Sequence, residues 1–422
     1  MGKELKVLIS AYACEPSKGS EPGTGWNIVI SLSRLHNVTV LTRTNNRAKI
    51  EAAQNIGQGR KTQFIYYDLP GWATRMKKLL LLPVPLYYAL WQAGAYLSHK
   101  KQIAESGFDI VHHLTFNAFE APGFFWLLPN HFILGPIGGG QTVSTKLLAE
   151  FGPGAYAEFL RNVRVGLSLR NPLVCSALRK AAFVLFANHD TQRLLGAGCA
   201  DKSRIMVDVG VDASAFAPRA RTNGEAFMVL YVGRLERRKG ITLLWRALRQ
   251  ICKDEGMHCR IVGDGPMRGW LEKHLVADNL SRSVELINFC AHGELKAIFQ
   301  TADVFVFPSL RDTTGSVVLE AMASGLPVVC LDHQGAAVMT SSDCAERISL
   351  SSPGKMAEEI VQAIHRLRAN PARRQCMGRA GRARAERMFD WSAKALKLAQ
   401  VYEAVAAETA AQLSFEKSDI WE

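Results

Sequence analysis

The chain has 422 residues, 48% of them hydrophobic and 21% charged, with a formal net charge of +13 at pH 7. This length exceeds one ordinary hydrophobic core and predicts two domains, and the composition excludes a disordered or fibrous chain. The nine cysteines form no Cys-x-x-Cys pair and no Cys/His cluster, which disfavours a zinc site or a disulfide framework and favours a reducing cytoplasm.

The first residues, MGKELKVLISAYACEP, contain an apolar run of strand length without an h-region or cleavage site, so we expect no secretory signal. Residues 79–97 are uncharged and long enough to form a transmembrane helix. Pro83 and Pro85 interrupt this segment, and lysines on both sides remove the charge asymmetry that orients a single span. We therefore expect a buried or surface-docked helix there.

Short β-branched runs alternate with amphipathic stretches along both halves of the chain, which is typical of parallel α/β sheets. In the first half, strands are predicted at 7–11, 38–42, 64–66, 110–113, 132–134, 183–187 and 205–207. In the second half, strands are predicted at 228–232, 260–262, 284–287, 304–307 and 328–331, and helices at 241–251 and 294–301.

The stretch GVDASAFAPRARTNGEAF has turn residues and no sustained period, which is typical of a linker. We predict a Rossmann-like domain at 1–212, a linker at 213–227, a second Rossmann-like domain at 228–388 and a C-terminal segment at 389–422 that begins with an amphipathic helix. Ligands of open α/β sheets bind at the carboxyl ends of the strands, so the chemistry is expected in a cleft between the domains.

Glycines and histidines follow the strands of the first half. In YACEPSKGSEPGTGW, Gly23 and Gly25 would let a phosphate or a sugar approach the backbone of the loop before the first helix. The strand in FDIVHHLTF ends with His112 and His113, so one can line the cleft while the other packs, although a core position is the commoner fate for either. The glycines of LGPIGGGQ suit a loop that closes on a ligand or a plain turn.

The most informative segment of the second half is VFVFPSLRDTTGSVVLEAMASG. Here a strand is followed by a polar loop and a helix, and the first amides of that helix form an anion-binding end, listed as Gly315, Ser316 and Val317. The carboxylates of Asp312 and Glu320 can accept hydrogen bonds from a vicinal diol. The alternative is an acidic helix start with an exposed glutamate.

The segment VLYVGRLERRKG predicts a strand that ends at Gly233, followed by Arg234 and Lys239, which offer a planar fork and a compact ammonium to a diphosphate. An ordinary basic loop is the alternative. The turn at Gly263, in RIVGDGPMRGW, resembles a dinucleotide fingerprint, but Arg268 stands where the third glycine belongs, which weakens a dehydrogenase interpretation without excluding it. The sequence contains no Asp-x-Asp, P-loop, Gly-x-Ser-x-Gly or His-Glu-x-x-His motif.

Residues 365–388 carry eight arginines. A solvated helix face is the preferred interpretation, and attraction to a phospholipid leaflet or to an anionic lipid-linked acceptor is the alternative. No motif for binding nucleic acid accompanies this charge.

Taken together, GRLERRKG, IVGDGP, ADVFVFPSLRD…GSVVLEAMASGLPVV and GVDASAF resemble the retaining glycosyltransferases of family 4, also called group 1 glycosyltransferases. FDWSAKALKLAQVY is similar to that family's last helix. The resemblance implies an α/β GT-B fold, with two Rossmann-like doubly wound domains facing a central cleft and a C-terminal helix that crosses back to the first domain. Asp312 stands where the family has Glu, and Thr314 replaces a glycine of the branch that is closest in its motifs.

The resemblance also implies roles for the site residues. Glu320 would bind the ribose hydroxyls of a nucleotide, Asp312 would bind hydroxyls of the donor sugar, and Arg234 and Lys239 would bind the diphosphate. The remaining contacts to phosphate and sugar would come from Gly23, Gly25, His113 or His112, Gly233, Gly263, Gly315, Ser316 and Val317.

The implied activity is retaining transfer of a hexose from a nucleotide diphosphate sugar, UDP before GDP, to a glycan or lipid-linked acceptor in cell-surface polysaccharide or glycolipid synthesis. No cofactor, metal or nucleic acid is expected. The expected location is the cytoplasm, including the inner face of the membrane. The alternatives are a nucleotide-sugar epimerase or hydrolase of the same fold, a nicotinamide-dependent oxidoreductase, and a non-enzymatic partner protein.

Overall fold

A computed structural model describes residues 4–78, 83–218, 226–288, 290 and 292–407. Contacts within the chain separate two compact units. The first unit comprises the residues up to Gly140, Val165–Val209 and the residues from Trp391 onward. The second unit comprises Gln141–Arg164 and Gly210–Asp390.

The described part of the first unit contains a parallel sheet of seven strands in the order β3-β2-β1-β4-β5-β6-β7. The strands are β1 (Lys6–Ser10), β2 (Asn37–Arg43), β3 (Gln63–Tyr67), β4 (Ile110–His113), β5 (His131–Ile137), β6 (Phe183–Phe186) and β7 (Ser203–Ile205). Consecutive apolar residues such as Val7, Leu8 and Ile9 are buried alike, because helices cover both faces of a parallel sheet.

Eight helices surround this sheet within the described residues, and α5 begins in the second unit. They are α1 (Ser20–Leu32), α2 (Arg47–Asn55), α3 (Gly71–Lys78), α4 (Val84–Glu105), α5 (Ala155–Ser168), α6 (Pro172–Lys180), α7 (His189–Leu195) and α15 (Trp391–Ala406). The C-terminal helix α15 packs on α1, and Leu398 and Tyr402 share a buried cluster with Trp26. The part of this helix predicted beyond residue 407 lies outside the described residues.

Residues 79–82, where the uncharged segment begins, also lie outside the described residues. The rest of that segment belongs to α4. None of the described helices combines the length and the apolarity that crossing a bilayer requires.

The described part of the second unit contains a parallel sheet of six strands in the order β10-β9-β8-β11-β12-β13. The strands are β8 (Phe227–Val232), β9 (Met257–Val262), β10 (Val284–Ile287), β11 (Val304–Phe307), β12 (Val328–Leu331) and β13 (Ala345–Ile348). The helices are α8 (Ile241–Ile251), α9 (Arg268–Ala277), α10 (His292–Gln300), α11 (Ser316–Ala323), α12 (Gln334–Met339), α13 (Pro353–Ala369) and α14 (Pro371–Arg384).

The structure differs from the predicted domain bounds in one segment. Residues 141–164 fall within the predicted first domain, yet they pack on the second unit. The reason is hydrophobic: Val143, Leu147 and Phe151 are buried in the core cluster built around β8 and α8. Part of the predicted linker, 219–225, is not among the described residues, and its last residue, Phe227, is the first residue of β8.

Each sheet has a point where the strand order reverses. In the first sheet β1 pairs with both β2 and β4, and in the second sheet β8 pairs with both β9 and β11. The loops that follow the paired strands diverge at such a point and leave a crevice in which ligands bind. The loops after β8 and β11, and those after β1 and β4, are therefore where binding residues are expected.

Candidate active site

The loops after β8 and β11 bring Arg234, Lys239 and Asp312 into one charged network. Lys239 forms an ion pair with Asp312. The Arg234 Nε atom lies 2.7 Å from Glu236 Oε1, and the Arg238 Nε atom lies 2.6 Å from Glu236 Oε2. Three cations and two carboxylates thus stand at the reversal point of the second sheet, with a net positive charge suited to an anion.

These cations differ in how solvent reaches them. The side chain of Arg234 is 69% exposed, whereas that of Lys239 is 15% exposed and its ammonium lies 5.6 Å from the centre of the Phe307 ring. A partly buried ammonium interacts more strongly with a phosphate than an exposed one does, because less water screens it. We expect Lys239 to contribute more than Arg234 to the free energy of binding a phosphate group.

Helix α11 begins beside this network, as predicted. Its N-cap is Gly315, and no side chain caps it, so the first amides of the helix stay directed toward the loop. A Cβ atom at Gly315 would lie 2.7 Å from Phe307 Cζ, which explains the need for glycine there. The start of α11 and Lys239 therefore both lie close to Phe307.

Glu320 lies in the second turn of α11, and its carboxyl group is buried. The Oε2 atom has no hydrogen-bond partner among the described residues. Burial raises the pKa of this carboxyl group from 4.5 to about 7, and the charge of Lys296 acts in the opposite direction. A buried carboxylate oxygen without a partner is costly, and hydroxyl groups of a ligand would satisfy it.

The backbone packs closely where β8 and β9 end. Gly233 and Gly263 have φ angles of 156° and 145°, and a Cβ atom at Gly263 would overlap the carbonyl oxygen of Gly233. Gly240 has a φ of 73°, and a Cβ atom there would overlap the carbonyl oxygen of Pro308. Glycine is needed at these positions for the fold of the loops themselves, before any ligand is considered.

An arm formed by residues 141–164 holds the loop that carries Asp312. Gln141 Nε2 donates to Thr313 Oγ1 at 2.6 Å. Gln334, at the start of α12, accepts a hydrogen bond from the Asp312 amide at 2.7 Å and donates to the Thr142 carbonyl at 3.3 Å. The position of Asp312 thus depends on the arm.

Two buried glutamates fix the arm to the second unit. Glu150 Oε2 accepts hydrogen bonds from Thr242 at 2.7 Å and from Arg246 at 2.8 Å. Glu158 Oε1 lies 2.7 Å from Arg311 Nε, one residue before Asp312. Removing either carboxylate would leave a cation or a hydroxyl without its partner.

In the first unit, the structure corrects the environment predicted for Gly23 and Gly25. Both lie within α1 rather than in the preceding loop. A Cβ atom at Gly23 would overlap the Lys18 carbonyl oxygen, and one at Gly25 would overlap the Ala13 carbonyl oxygen. Glycine at these two positions lets the preceding loop pack closely against α1. A role for Gly23 or Gly25 in phosphate binding stays a prediction.

The two histidines that end β4 are both buried, in contrast to the expectation that one would line a cleft. His112 lies 2.5 Å from the Tyr402 hydroxyl and 2.6 Å from the Gly135 carbonyl oxygen, and burial lowers its pKa to about 4. His113 Nε2 lies 3.1 Å from the Tyr88 hydroxyl, and burial lowers its pKa to about 3. Both imidazoles are therefore neutral at pH 7, and His112 is a core histidine.

Three residues of the candidate site could not be assigned from the sequence: Glu236, Arg238 and Gln334. Glu236 joins the two arginines only because the loop after β8 folds back on itself. Gln334 follows Asp312 by 22 residues and meets it only through the pairing of β11 with β12. The four basic residues of the loop after β8 indicated an anion-binding role for the loop, but nothing in the sequence shows which of them belong to the site.

Several arginines of residues 365–388 form contacts within the fold, which neither a solvated helix face nor an anion-attracting surface predicts. Arg366 and Arg373 both bind Glu346, and Arg374 lies 3.7 Å from Asp303. Arg382 donates to the carbonyls of Phe216 and Ala323 at 2.6 Å. These four arginines therefore contact acidic or carbonyl groups of the second unit.

Residues 214–384 match the family model described as glycosyl transferases group 1. This span contains the network around Asp312, the start of α11 and Glu320. This part of the chain is therefore similar to the group 1 glycosyltransferases.

The chain is similar to the glycogen synthase of Mycobacterium tuberculosis, which is 32% identical over 223 residues. The alignment covers 51% of this chain and 51% of the relative, so the chain spans about half the length of the curated relatives it matches.

Solved structures share the architecture along nearly the whole chain. Sucrose-phosphate synthase from Thermosynechococcus elongatus superposes with a TM-score of 0.65 at 20% identity and covers 96% of this chain and 99% of its own. Anabaena HepE in complex with UDP superposes with a TM-score of 0.62 at 15% identity and covers 95% and 100%. The chain thus has the GT-B fold of two Rossmann-like sheets, as the sequence predicts.

Proposed function

We propose that this protein is a retaining glycosyltransferase of family 4 that transfers a hexose from a nucleotide diphosphate sugar to a glycan or lipid-linked acceptor. The observation that carries the proposal is the arrangement at the reversal point of the second sheet. There the Lys239–Asp312 pair, the exposed guanidinium of Arg234 and the uncapped start of α11 all lie in the loops that follow β8 and β11, and each offers a cation or free amides to a diphosphate.

Each residue has a role that follows from its chemistry. Lys239 and Arg234 bind the diphosphate, and the amides of Gly315, Ser316 and Val317 add hydrogen bonds to the phosphate and the sugar. Asp312 accepts hydrogen bonds from sugar hydroxyls. Glu320 accepts hydrogen bonds from the ribose hydroxyls, which would supply the partner that its Oε2 atom lacks among the described residues.

The same groups promote the reaction. As the bond between the anomeric carbon and the diphosphate breaks, negative charge grows on the leaving phosphate oxygens. Lys239, Arg234 and the α11 amides are already in place for that charge, so little reorganisation is needed as it forms. No side chain is assigned as a covalent nucleophile, and the leaving phosphate assists deprotonation of the acceptor hydroxyl.

The donor and acceptor are assigned by similarity. HepE has been solved with UDP, which supports UDP over GDP as the nucleotide. The name of glycogen synthase supports a polysaccharide acceptor, in keeping with synthesis of a cell-surface polysaccharide or a glycolipid in the cytoplasm. Contacts of Gly23 or Gly25 with phosphate, and of His113 with the sugar, rest on the family resemblance, as does transfer without a metal.

A nucleotide panel tests the proposal. UDP and UDP-sugars should raise the melting temperature of the protein, GDP should do so less, and NAD⁺ should not. Lys239→Ala should weaken UDP binding about 10- to 100-fold, because it removes a charge-assisted contact. Lys253→Ala, at an exposed lysine beyond the end of α8, is the matched control and should leave the affinity unchanged.

The product of the reaction distinguishes the alternatives. Transfer to an acceptor with the anomeric configuration of the donor, measured by NMR and insensitive to EDTA, would support the assignment. Formation of free sugar or of an epimer, without any transfer, would contradict it and indicate a hydrolase or an epimerase.

A further inference from the structure

One face of the first unit combines exposed apolar side chains with positive charge. It is formed by α3 and α4, which pack together, and we call it the α3–α4 face. The segment 69–104 contains no aspartate or glutamate. Its five cationic residues lie near the two ends of the uncharged stretch: Arg75, Lys77, Lys78, Lys100 and Lys101.

The apolar residues of the α3–α4 face are directed outward. Leu86, Leu90 and Leu97 are spaced by four and seven residues, so they lie along one side of α4, and all three are exposed. The opposite side of α4 is buried in the first core through Trp91 and Ala95, which fixes the orientation of the helix. Leu86, Leu90 and Leu97 are therefore not part of the buried core of the first unit.

Helix α3, which packs on α4, carries further exposed apolar side chains. Trp72 is 63% exposed, and Met76, one turn later, is also exposed. Tryptophan is favoured at the boundary between lipid headgroups and acyl chains, since its ring is largely apolar and its indole N–H can still bond to water. Arg75 lies between these two residues and is exposed as well.

The charge of the face identifies the partner. Exposed apolar patches mark interaction sites, and the charged residues of the segment 69–104 are all cations. Lys100 and Lys101 are exposed at the end of the leucine row, and Lys101 Nζ lies 4.0 Å from Glu105 Oε1. An apolar surface bordered by cations matches a layer of anionic headgroups above acyl chains.

We propose that the α3–α4 face docks on the surface of an anionic lipid bilayer. The apolar side chains of Trp72, Leu90 and Leu97 enter the boundary between headgroups and acyl chains, and Lys100 and Lys101 bind lipid phosphates. The proposal concerns a surface of the first unit and does not depend on sugar transfer, although it would bring the enzyme to a lipid-linked acceptor.

Co-sedimentation with 100-nm vesicles tests the docking. Vesicles of phosphatidylcholine with about a third phosphatidylglycerol should bind the full-length protein, and pure phosphatidylcholine should bind it far less, with binding weakened by salt. The double variant Leu90→Glu, Leu97→Glu should lose about tenfold or more of the binding, because it places two carboxylates on the apolar row. The pair Lys100→Ser, Lys101→Ser should also lose about tenfold.

Controls separate docking from misfolding and from self-association. Val276→Glu, at an exposed apolar residue of α9 in the second unit, should bind vesicles as the wild type does. Each variant should retain the melting temperature of the wild type and its stabilisation by UDP. The proposal is overturned if the wild type ignores anionic vesicles, if the leucine variants still bind them, or if sedimentation equilibrium shows that these substitutions only dissociate a dimer.

Discussion

At the scale of single residues, Glu320 shows how a binding group costs stability. Its pKa is raised from 4.5 to about 7 by burial, so the folded protein favours the protonated carboxyl group. The penalty for the charged form is absent below pH 4.5, grows between pH 4.5 and pH 7, and is complete above pH 7. A nucleotide that donates ribose hydroxyls to the carboxylate would offset this penalty.

We predict that Glu320→Gln raises the stability of the unliganded protein at pH 8 by about 1–3 kcal/mol, since it replaces a buried charge with a neutral amide. The difference should nearly vanish at pH 4.5, where both side chains are neutral. Urea unfolding at the two pH values measures it. The same variant should bind UDP more weakly, and equal stability and equal affinity at pH 8 would contradict the role of Glu320.

Asp312 is proposed to bind the hydroxyl groups of the donor sugar. Asp312→Asn should leave the affinity for UDP within about threefold, because the nucleotide contacts lie elsewhere, and should lower transfer by about 100-fold through the lost sugar contact. Calorimetry with UDP and an assay of transfer give the two values. Loss of UDP affinity with transfer intact would reverse the assignment.

At the scale of elements, the close approach of the loops after β8 and β9 predicts a sharp contrast between two glycines. Gly263→Ala should destabilise the protein by about 2–4 kcal/mol, since its Cβ would overlap the Gly233 carbonyl at a positive φ. Gly269→Ala is the control: it lies in α9 with nothing within 4 Å of its Cβ position and should be neutral or slightly stabilising. Thermal unfolding compares them.

The arm of residues 141–164 gives a second prediction at this scale. Glu150→Ala leaves Thr242 and Arg246 without their acceptor, so the arm should detach more often and be cleaved faster by trypsin at Lys146 and Arg161. Glu255→Ala, at an exposed glutamate, is the matched control. Unchanged cleavage of the arm in Glu150→Ala would show that this carboxylate does not hold it.

The strands were the most predictable elements, because buried parallel strands are continuous apolar runs. Twelve of the strands in the described residues were predicted, several with the observed bounds, as at β4, β10, β11 and β12. The strand β13 was missed because its sequence, AERI, contains two charged residues. Glu346 forms ion pairs there with Arg366 and Arg373, and the local sequence pattern does not predict these contacts.

The site was predictable where it depends on sequence neighbours and not where it depends on tertiary pairing. The uncapped start of α11 and the basic loop after β8 follow from local patterns. The link of Gln334 to Asp312, the packing of residues 141–164 on the second unit and the burial of both histidines follow from contacts between distant segments. Side chains alternate between the two faces of a strand, so the pattern predicts that His112 and His113 face opposite ways. It cannot show that both faces of β4 are buried.

At the scale of the whole molecule, each unit has its own sheet, its own core and its own point of strand reversal. The charged network that suits a diphosphate lies in the second unit, and the apolar face that suits a membrane lies in the first. Nucleotide binding and membrane docking should therefore be separable: variants of the α3–α4 face should bind UDP normally, and Lys239→Ala should bind vesicles normally.

Hydrogen–deuterium exchange with and without UDP tests the central claim most directly, since it shows which amides a nucleotide covers. We predict slower exchange in the loops 233–240 and 308–317 and at the start of α11, with no comparable change in α13 or α14. Binding of UDP that protects none of these loops, and protects amides elsewhere instead, would contradict the account.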